Sequence, residues 1–303
     1  MWYTNTISQS LKKVNSLFTS SLPNQSLFLA LFRVSIAVVA LTELLSIASD
    51  FRLFFSDTPA LGPIRLYYLE SGYFSKMHNI HGFLVENGID AYLTEIVIIY
   101  AVFLIFLGLG FLTRFSAVVA LLLQLFIYKS FASLNYGYDY FLTMSLFYCF
   151  LFPVGKYSSI DSILFGKKSI MNFNYRLVLQ LHLSIAYFYG GLAKALDPGW
   201  RDGNSVWKAM VSVENDYYLI PPLVFIIIGV GTVILEMFYP VLIYFKKTRP
   251  VALYSVVLMH VGIAMVMNLY AFSMIMIVWN VCAFGKIELA DRKQKVSGYE
   301  LAS

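Results

Sequence analysis

The sequence predicts an all-α integral membrane protein, a polytopic helical bundle of about eight transmembrane helices with both termini cytoplasmic. Three observations lead there. Hydrophobic residues make up 59% of the 303 positions and charged residues only 13%, against about 45–50% and about 25% in soluble domains. The apolar residues gather in long runs, such as residues 96–112 and 224–235. Basic residues fall mostly in alternate connections between those runs. A cytosolic enzyme, a nucleic-acid binder and a disulfide-stapled secreted domain are excluded by this composition. The pI near 9.0 reflects 22 basic against 17 acidic residues, which loops facing a cytoplasm explain. Cys149 and Cys282 lie inside apolar runs and are expected as free thiols.

A membrane helix needs roughly 20 mainly apolar residues, and eight segments meet or approach that: 26–48, 91–112, 115–133, 140–155, 177–196, 222–245, 251–268 and 270–284. The first follows Lys12 and Lys13 and carries Arg33 and Glu43. The second is apolar from Ile96 onward, and the third contains VVALLLQLFIY at residues 118–128. That run does not alternate, which argues against a strand barrel. The fourth carries Pro153 near its end and the fifth begins after Arg176. The sixth carries Pro240 near its end. The last two are short, and together they also read as one long or broken helix.

Basic residues orient the bundle. Before span 1 and after spans 2, 4, 6 and 8 stand fourteen: Lys12, Lys13, Arg114, Lys156, Lys167, Lys168, Arg176, Lys246, Lys247, Arg249, Lys286, Arg292, Lys293 and Lys295. The other side holds five, Arg52, Arg65, Lys76, Arg201 and Lys208, and Arg33, Lys129 and Lys194 fall within spans. Eight spans satisfy the positive-inside rule at every loop; seven would place the basic tail outside. The organisation is then a cytoplasmic segment at 1–25, a transmembrane domain at 26–285 and a cytoplasmic tail at 286–303. Residues 1–25 lack the short apolar core and cleavage site of a leader. The two substantial exoplasmic loops are 49–90 and 197–221.

Ionisable residues inside spans are expensive and are functional candidates by default. They are Arg33, Glu43, Glu95, Lys129, His182, Lys194, Glu236 and His260. Glu43, Glu95 and Lys129 lie near span ends, where snorkelling accommodates them. Arg33 has two available partners, Glu236 or a backbone carbonyl. For His182, next to Gln180, hydrogen bonding between helices suffices. Lys194 sits at the exoplasmic end of span 5, with Tyr187 and Gly191 on the same helical face. The Gly190–Gly191 pair admits another helix or a flat ligand. In a poorly hydrated pocket desolvation favours a neutral amine able to act as a base, and Asp197 would oppose this if it faced the amine. The alternative is a lysine snorkelling outward beside interfacial Trp200. His260, in the middle of span 7, reads either as a satisfied core hydrogen-bonder or as a functional imidazole. Asn135 and Asp139 lie in a loop on the Lys194 side. No CxxC, HExxH, GxSxG, P-loop or dinucleotide fingerprint occurs, and no metal is expected.

Five strings occur in a telling order: FFSDTPALGPIRL at residues 54–66, NYGYD at 135–139, YFYGGLAKALDPGWRDGNSVW at 187–207, EMFYP at 236–240 and HVGIAMVMNLYAFSMIMI at 260–277. Over about residues 25–285 the chain resembles the HTTM (horizontally transferred transmembrane domain) family. That family includes the membrane part of vitamin K-dependent gamma-carboxylase, and the chain is also similar to bacterial sporulation-delaying protein B-type proteins, which help mature a secreted peptide toxin. The resemblance implies a multi-pass protein of a bacterial plasma membrane that uses a reduced, vitamin K-like quinone. Lys194 matches the lysine that serves as the carboxylase base. It deprotonates the quinone, whose oxygenation yields a stronger base acting on a glutamate side chain. Asn135, Asp139, Tyr187, Gly191 and Trp200 would then hold the cofactor, and His260 would polarise the ligand. Two departures stand against glutamate carboxylation. Tyr136 occupies the region of a histidine in the eukaryotic enzymes, and no lumenal substrate-gripping domain follows span 8.

Two functions follow as expectations. One is an enzyme or enzyme subunit that modifies or helps mature a secreted peptide or protein at the exoplasmic face, with an accessory subunit for substrate capture. The other is a non-enzymatic scaffold, immunity factor or lipid-binding subunit. Membrane lipids are partners under both, and nucleic acid under neither. A transporter ranks below them, because no inverted repeat or paired interrupted spans are evident.

Overall fold

The structure is a computed structural model and describes residues 25–48, 92–129, 135–166, 173–211 and 220–285, together with Phe83 and Asn87. Outside the described residues lie almost all of the 1–25 and 49–90 segments with the FFSDTPALGPIRL string, residues 212–219 and the 286–303 tail. Among the described residues every regular element is helical: α1 (Gln25–Ser46), α2 (Tyr92–Leu109), α3 (Thr113–Lys129), α4 (Gly137–Leu151), a 3-10 turn (Val154–Lys156), α5 (Ile160–Leu164), α6 (Tyr175–Leu196), α7 (Pro198–Arg201), α8 (Asn204–Val211), α9 (Pro222–Tyr244), α10 (Arg249–Met267) and α11 (Tyr270–Phe284).

By length and composition α1, α9 and α10 can cross a membrane, and α2, α3 and α11 add shorter apolar stretches. Burial shows what the apolar surface is for. Only 17% of the apolar window of α10 and 22% of that of α9 is buried inside the bundle. Surfaces as apolar and open as these do not persist in water; they face hydrocarbon. The interior is sealed instead by α11, which packs against α1, α4, α6 and α10 and holds Trp279 and Asn280 fully buried. Most of α11 is thus turned inward, with Tyr270, Met274 and Val281 left on its outer side.

Local chemistry sets the boundaries. Helix α4 starts at Gly137, earlier than the expected 140, because the Asp139 carboxylate accepts the Tyr136 amide at 3.0 Å and caps the first turn. It stops at Leu151 because Phe152 precedes Pro153 and is driven to extended backbone. Asn174 caps α6 by accepting the Leu177 amide at 3.1 Å, and Pro198 prevents its continuation past Leu196. The last two expected spans are separate helices that pack on each other, joined through Asn268 in left-handed backbone at φ 55°.

The Arg33 alternatives resolve in favour of carbonyls. Its guanidinium donates to Val154 O at 3.0 Å and Ser158 O at 2.6 Å, with a longer contact to Tyr157 O. Arg33 is 1% exposed, so it fastens the α4–α5 connection to α1. Replacing Arg33 with methionine is expected to lower stability by about 3 kcal/mol, since buried carbonyls lose charge-assisted donors. A thermal unfolding midpoint for R33M equal to wild type in the same detergent would refute this. His182 and Gln180 are likewise interhelical: Tyr148 Oη and His182 Nδ1 lie 2.8 Å apart, and Gln180 donates to Ala283 O at 2.7 Å.

Candidate functional site

Helix α6 packs more extensively on α9 than on any other element, and glycine makes this possible. A Cβ placed on Gly191 would stand 2.6 Å from the Met237 amide nitrogen, so only glycine lets the two backbones meet there. Of the two uses open to Gly191, a helix takes the space. Three residues on, the close approach brings Lys194 Nζ to 2.7 Å from Glu236 Oε2, with side chains 26% and 9% exposed. The Trp200 ring centroid lies 5.2 Å from the same nitrogen, within cation–π range. Trp200 reaches this position because its carbonyl seats against Gly229 of α9, where a Cβ would come within 2.3 Å of it.

Asp197 does not oppose Lys194. Its carboxylate accepts the Gly199 amide at 2.9 Å and the Ser205 hydroxyl at 3.1 Å, capping α7. Glu236 is the partner instead. It stands four residues before Pro240, which has no amide to give to the Glu236 carbonyl.

About two turns deeper than Lys194 on α6, Tyr187 opens a buried polar chain. Tyr239 Oη donates to Asn280 Oδ1 at 2.7 Å, and Asn280 Nδ2 donates to Tyr187 Oη at 2.8 Å. Tyr187 Oη lies 2.9 Å from His260 Nε2. The Asn280 and Tyr239 bonds each use a defined donor, so Tyr187 has its own proton left for His260. That makes Nε2 the acceptor and puts the imidazole proton on Nδ1. This nitrogen is buried and has no hydrogen-bond partner, so His260 is satisfied on one side only.

The NYGYD loop reaches His260 through Phe272. The ring of Phe272 meets Tyr136 at 6.4 Å and His260 edge-on at 5.5 Å. Asp139 is 6% exposed, holds the α4 cap with one oxygen and leaves Oδ1 unpartnered; Asn135 precedes it, half-buried. The structure thus gathers Lys194, Tyr187, Gly191, Trp200 and His260 around α6, α9 and α10. Asp139 caps α4 through Oδ2 and makes no hydrogen bond to Lys194, while its Oδ1 stays unpartnered. Glu95 is exposed at the start of α2, and the Lys129 side chain lies outside the described residues. Glu43 hydrogen-bonds Ser46 at the end of α1.

Three residues of the cluster hold roles that sequence reasoning does not assign to them. Glu236 reads from the sequence as a partner for Arg33, and Tyr239 and Asn280 do not stand out there. Asn280 does carry a readable signal, since an amide within an apolar helix tends to bond between helices. Among the described residues no three His, Cys, Asp or Glu side chains gather as a metal site, and Cys149 and Cys282 are free and buried.

An all-helical bundle with an apolar exterior, enclosing a lysine–carboxylate pair and a tyrosine–histidine–asparagine chain, is a membrane domain with an internal polar site. A profile of the HTTM domain matches residues 23–286, and the chain belongs to this family. No curated protein and no solved structure matches it.

Proposed function

We propose that this HTTM protein modifies or helps mature a secreted peptide at the exoplasmic face of a bacterial plasma membrane, with Lys194 as base and a reduced membrane quinone as cofactor. In this reading α1, α2, α3, α4, α6, α9, α10 and α11 are eight spans, both termini are cytoplasmic, and the α6 C-terminus opens outward. The lysine–glutamate pair beside Trp200 carries the proposal. The pair is strong enough to hold a proton and, at 26% exposure of the lysine, open enough to be approached.

The residues fit a flat, oxygen-bearing ring. A Cβ at Gly190 would fall 3.4 Å from Glu236 Oε2 and 3.7 Å from Lys194 Nζ, so glycine leaves room beside the pair. Lys194 and Trp200, in contact with each other at 5.2 Å, would border the ring on one side, and the unpartnered His260 Nδ1 is available to an oxygen. When bound, a reduced quinone supplies an acidic hydroxyl and two reducing equivalents. The chain's own task is proton handling. A carboxylate 2.7 Å away stabilises the ammonium, and Lys194 would act as a base only after its proton passes from Nζ to Glu236 Oε2. The low exposure of Glu236 limits water that would compete for that proton.

A second reading has its own support: the pair satisfies itself, as it would in a scaffold, immunity factor or lipid-binding subunit. The deciding experiment is mass spectrometry of lipids and quinones extracted from gently purified wild type and K194A. Retention of a quinone by wild type and its depletion in folded K194A is the expected result. Bulk phospholipid alone in both would hand the assignment to the scaffold reading.

A further inference from the structure

A cavity of about 580 Å³ lies at the end of the bundle opposite Lys194, within the ~300–1,000 Å³ typical of small-molecule sites. The ring of its wall residue Phe152 lies 5.1 Å from that of Tyr175, the first residue of α6, tilted by 55°, whereas Lys194 stands in the last turn of that helix. The two sites are therefore separated by the length of α6.

The chemistry of the lining divides in two. Arg114 and Lys156 contribute positive charge. The one carboxylate, Asp161, is committed inward: it accepts the Leu112 amide at 2.8 Å, the Thr113 amide at 2.8 Å and the Thr113 hydroxyl at 2.6 Å. It also lies in the field of the Arg33 guanidinium. The remaining walls are apolar and open, with Leu112 45%, Phe115 57% and Phe165 64% exposed. Ile163 and Leu164 continue that apolar surface along α5 at 80% and 60% exposure. A five-residue helix with such a surface, started by its own Ser159–Ser162 capping box, suits the boundary between headgroups and acyl chains.

We propose that this cavity binds an anionic phospholipid, with Arg114 and Lys156 on the phosphate and Phe115 and Phe165 against the acyl chains. Charge complementarity selects this occupant. A zwitterionic lipid places its own cation among the two basic side chains, whereas an anionic one does not. The basic loops on this end match the leaflet to which anionic lipids draw them. The proposal does not depend on the role of Lys194.

The test is native mass spectrometry of the full-length protein in detergent, titrated with phosphatidylglycerol, with phosphatidylcholine of the same chains, and with inorganic phosphate. Wild type is expected to prefer phosphatidylglycerol. R114Q/K156Q should lose about fivefold in affinity per cation removed. K246Q/K247Q, which removes two exposed charges of the α9–α10 turn, should keep the preference. F165S alters an exposed side chain and should weaken phosphatidylglycerol binding. Equal losses in both double variants would mean diffuse surface attraction and overturn the site. Displacement of the lipid by inorganic phosphate, or unchanged lipid binding by F165S, would overturn the lipid assignment.

Discussion

Replacing Lys194 with methionine is expected to destabilise the bundle by about 3 kcal/mol, more than the roughly 1–2 kcal/mol expected for Glu236 replaced with glutamine. The asymmetry comes from exposure. Without its partner, the Glu236 carboxylate, at 9% exposure, loses the donor it is bonded to and sees little water. Without Glu236, the Lys194 ammonium is already 26% exposed and keeps the Trp200 face, so it can turn outward. The double variant K194M/E236Q removes both charges and should return to within about 1 kcal/mol of wild type. Thermal unfolding of the four proteins in one detergent measures the cycle. If K194M melts no lower than E236Q, the carboxylate does not sit in the environment described. The double variant also separates the two functional readings. A scaffold that needs only a quiet pair would keep its activity, whereas a protein using Lys194 as base would be folded and inactive.

Much of the helical pattern was legible because hydrocarbon selects long, mainly apolar helices. Each of the eight apolar segments contains a helix. The details that escaped depend on single side chains meeting across the bundle. Asp139 moved the start of α4 by capping it, and Asn268 divided the last apolar stretch by taking left-handed backbone. The site was half legible. Lys194, Tyr187 and Gly191 share one face of α6, and helical spacing alone says so. That Glu236 rather than Asp197 faces the amine depends on how α6 lies on α9, which no local pattern records. Asp197 was nearer in sequence, but a helix-capping carboxylate is already occupied. Tyr239 and Asn280 escaped for the same reason: they meet only because α9 and α11 both border Tyr187.

That contact between α6 and α9 gives the other large expected effect. G191A is expected to cost about 2–4 kcal/mol, and G190A to be neutral or slightly stabilising, although the two glycines are adjacent. Alanine is the better helix former by about 1 kcal/mol at either position. At Gly190 the new methyl meets only the flexible tips of Glu236 and Lys194, at 3.4 and 3.7 Å, so that advantage is kept. At Gly191 it meets the Met237 amide nitrogen at 2.6 Å and the Glu236 carbonyl carbon at 3.0 Å. Backbone cannot swing aside as a side chain can, so the helices must separate and well-packed surface opens along the contact. Separation also stretches the bonds on either side, from Tyr187 to His260 and from Lys194 to Glu236. G191A should therefore lose stability and any quinone together. G190A should stay folded but bind less quinone, because its methyl occupies the room beside the pair. Unfolding midpoints and extracted quinone for the two variants test this directly. A G191A protein as stable as wild type would mean that α6 and α9 do not approach at Gly191. Undiminished quinone in G190A would place the ring elsewhere.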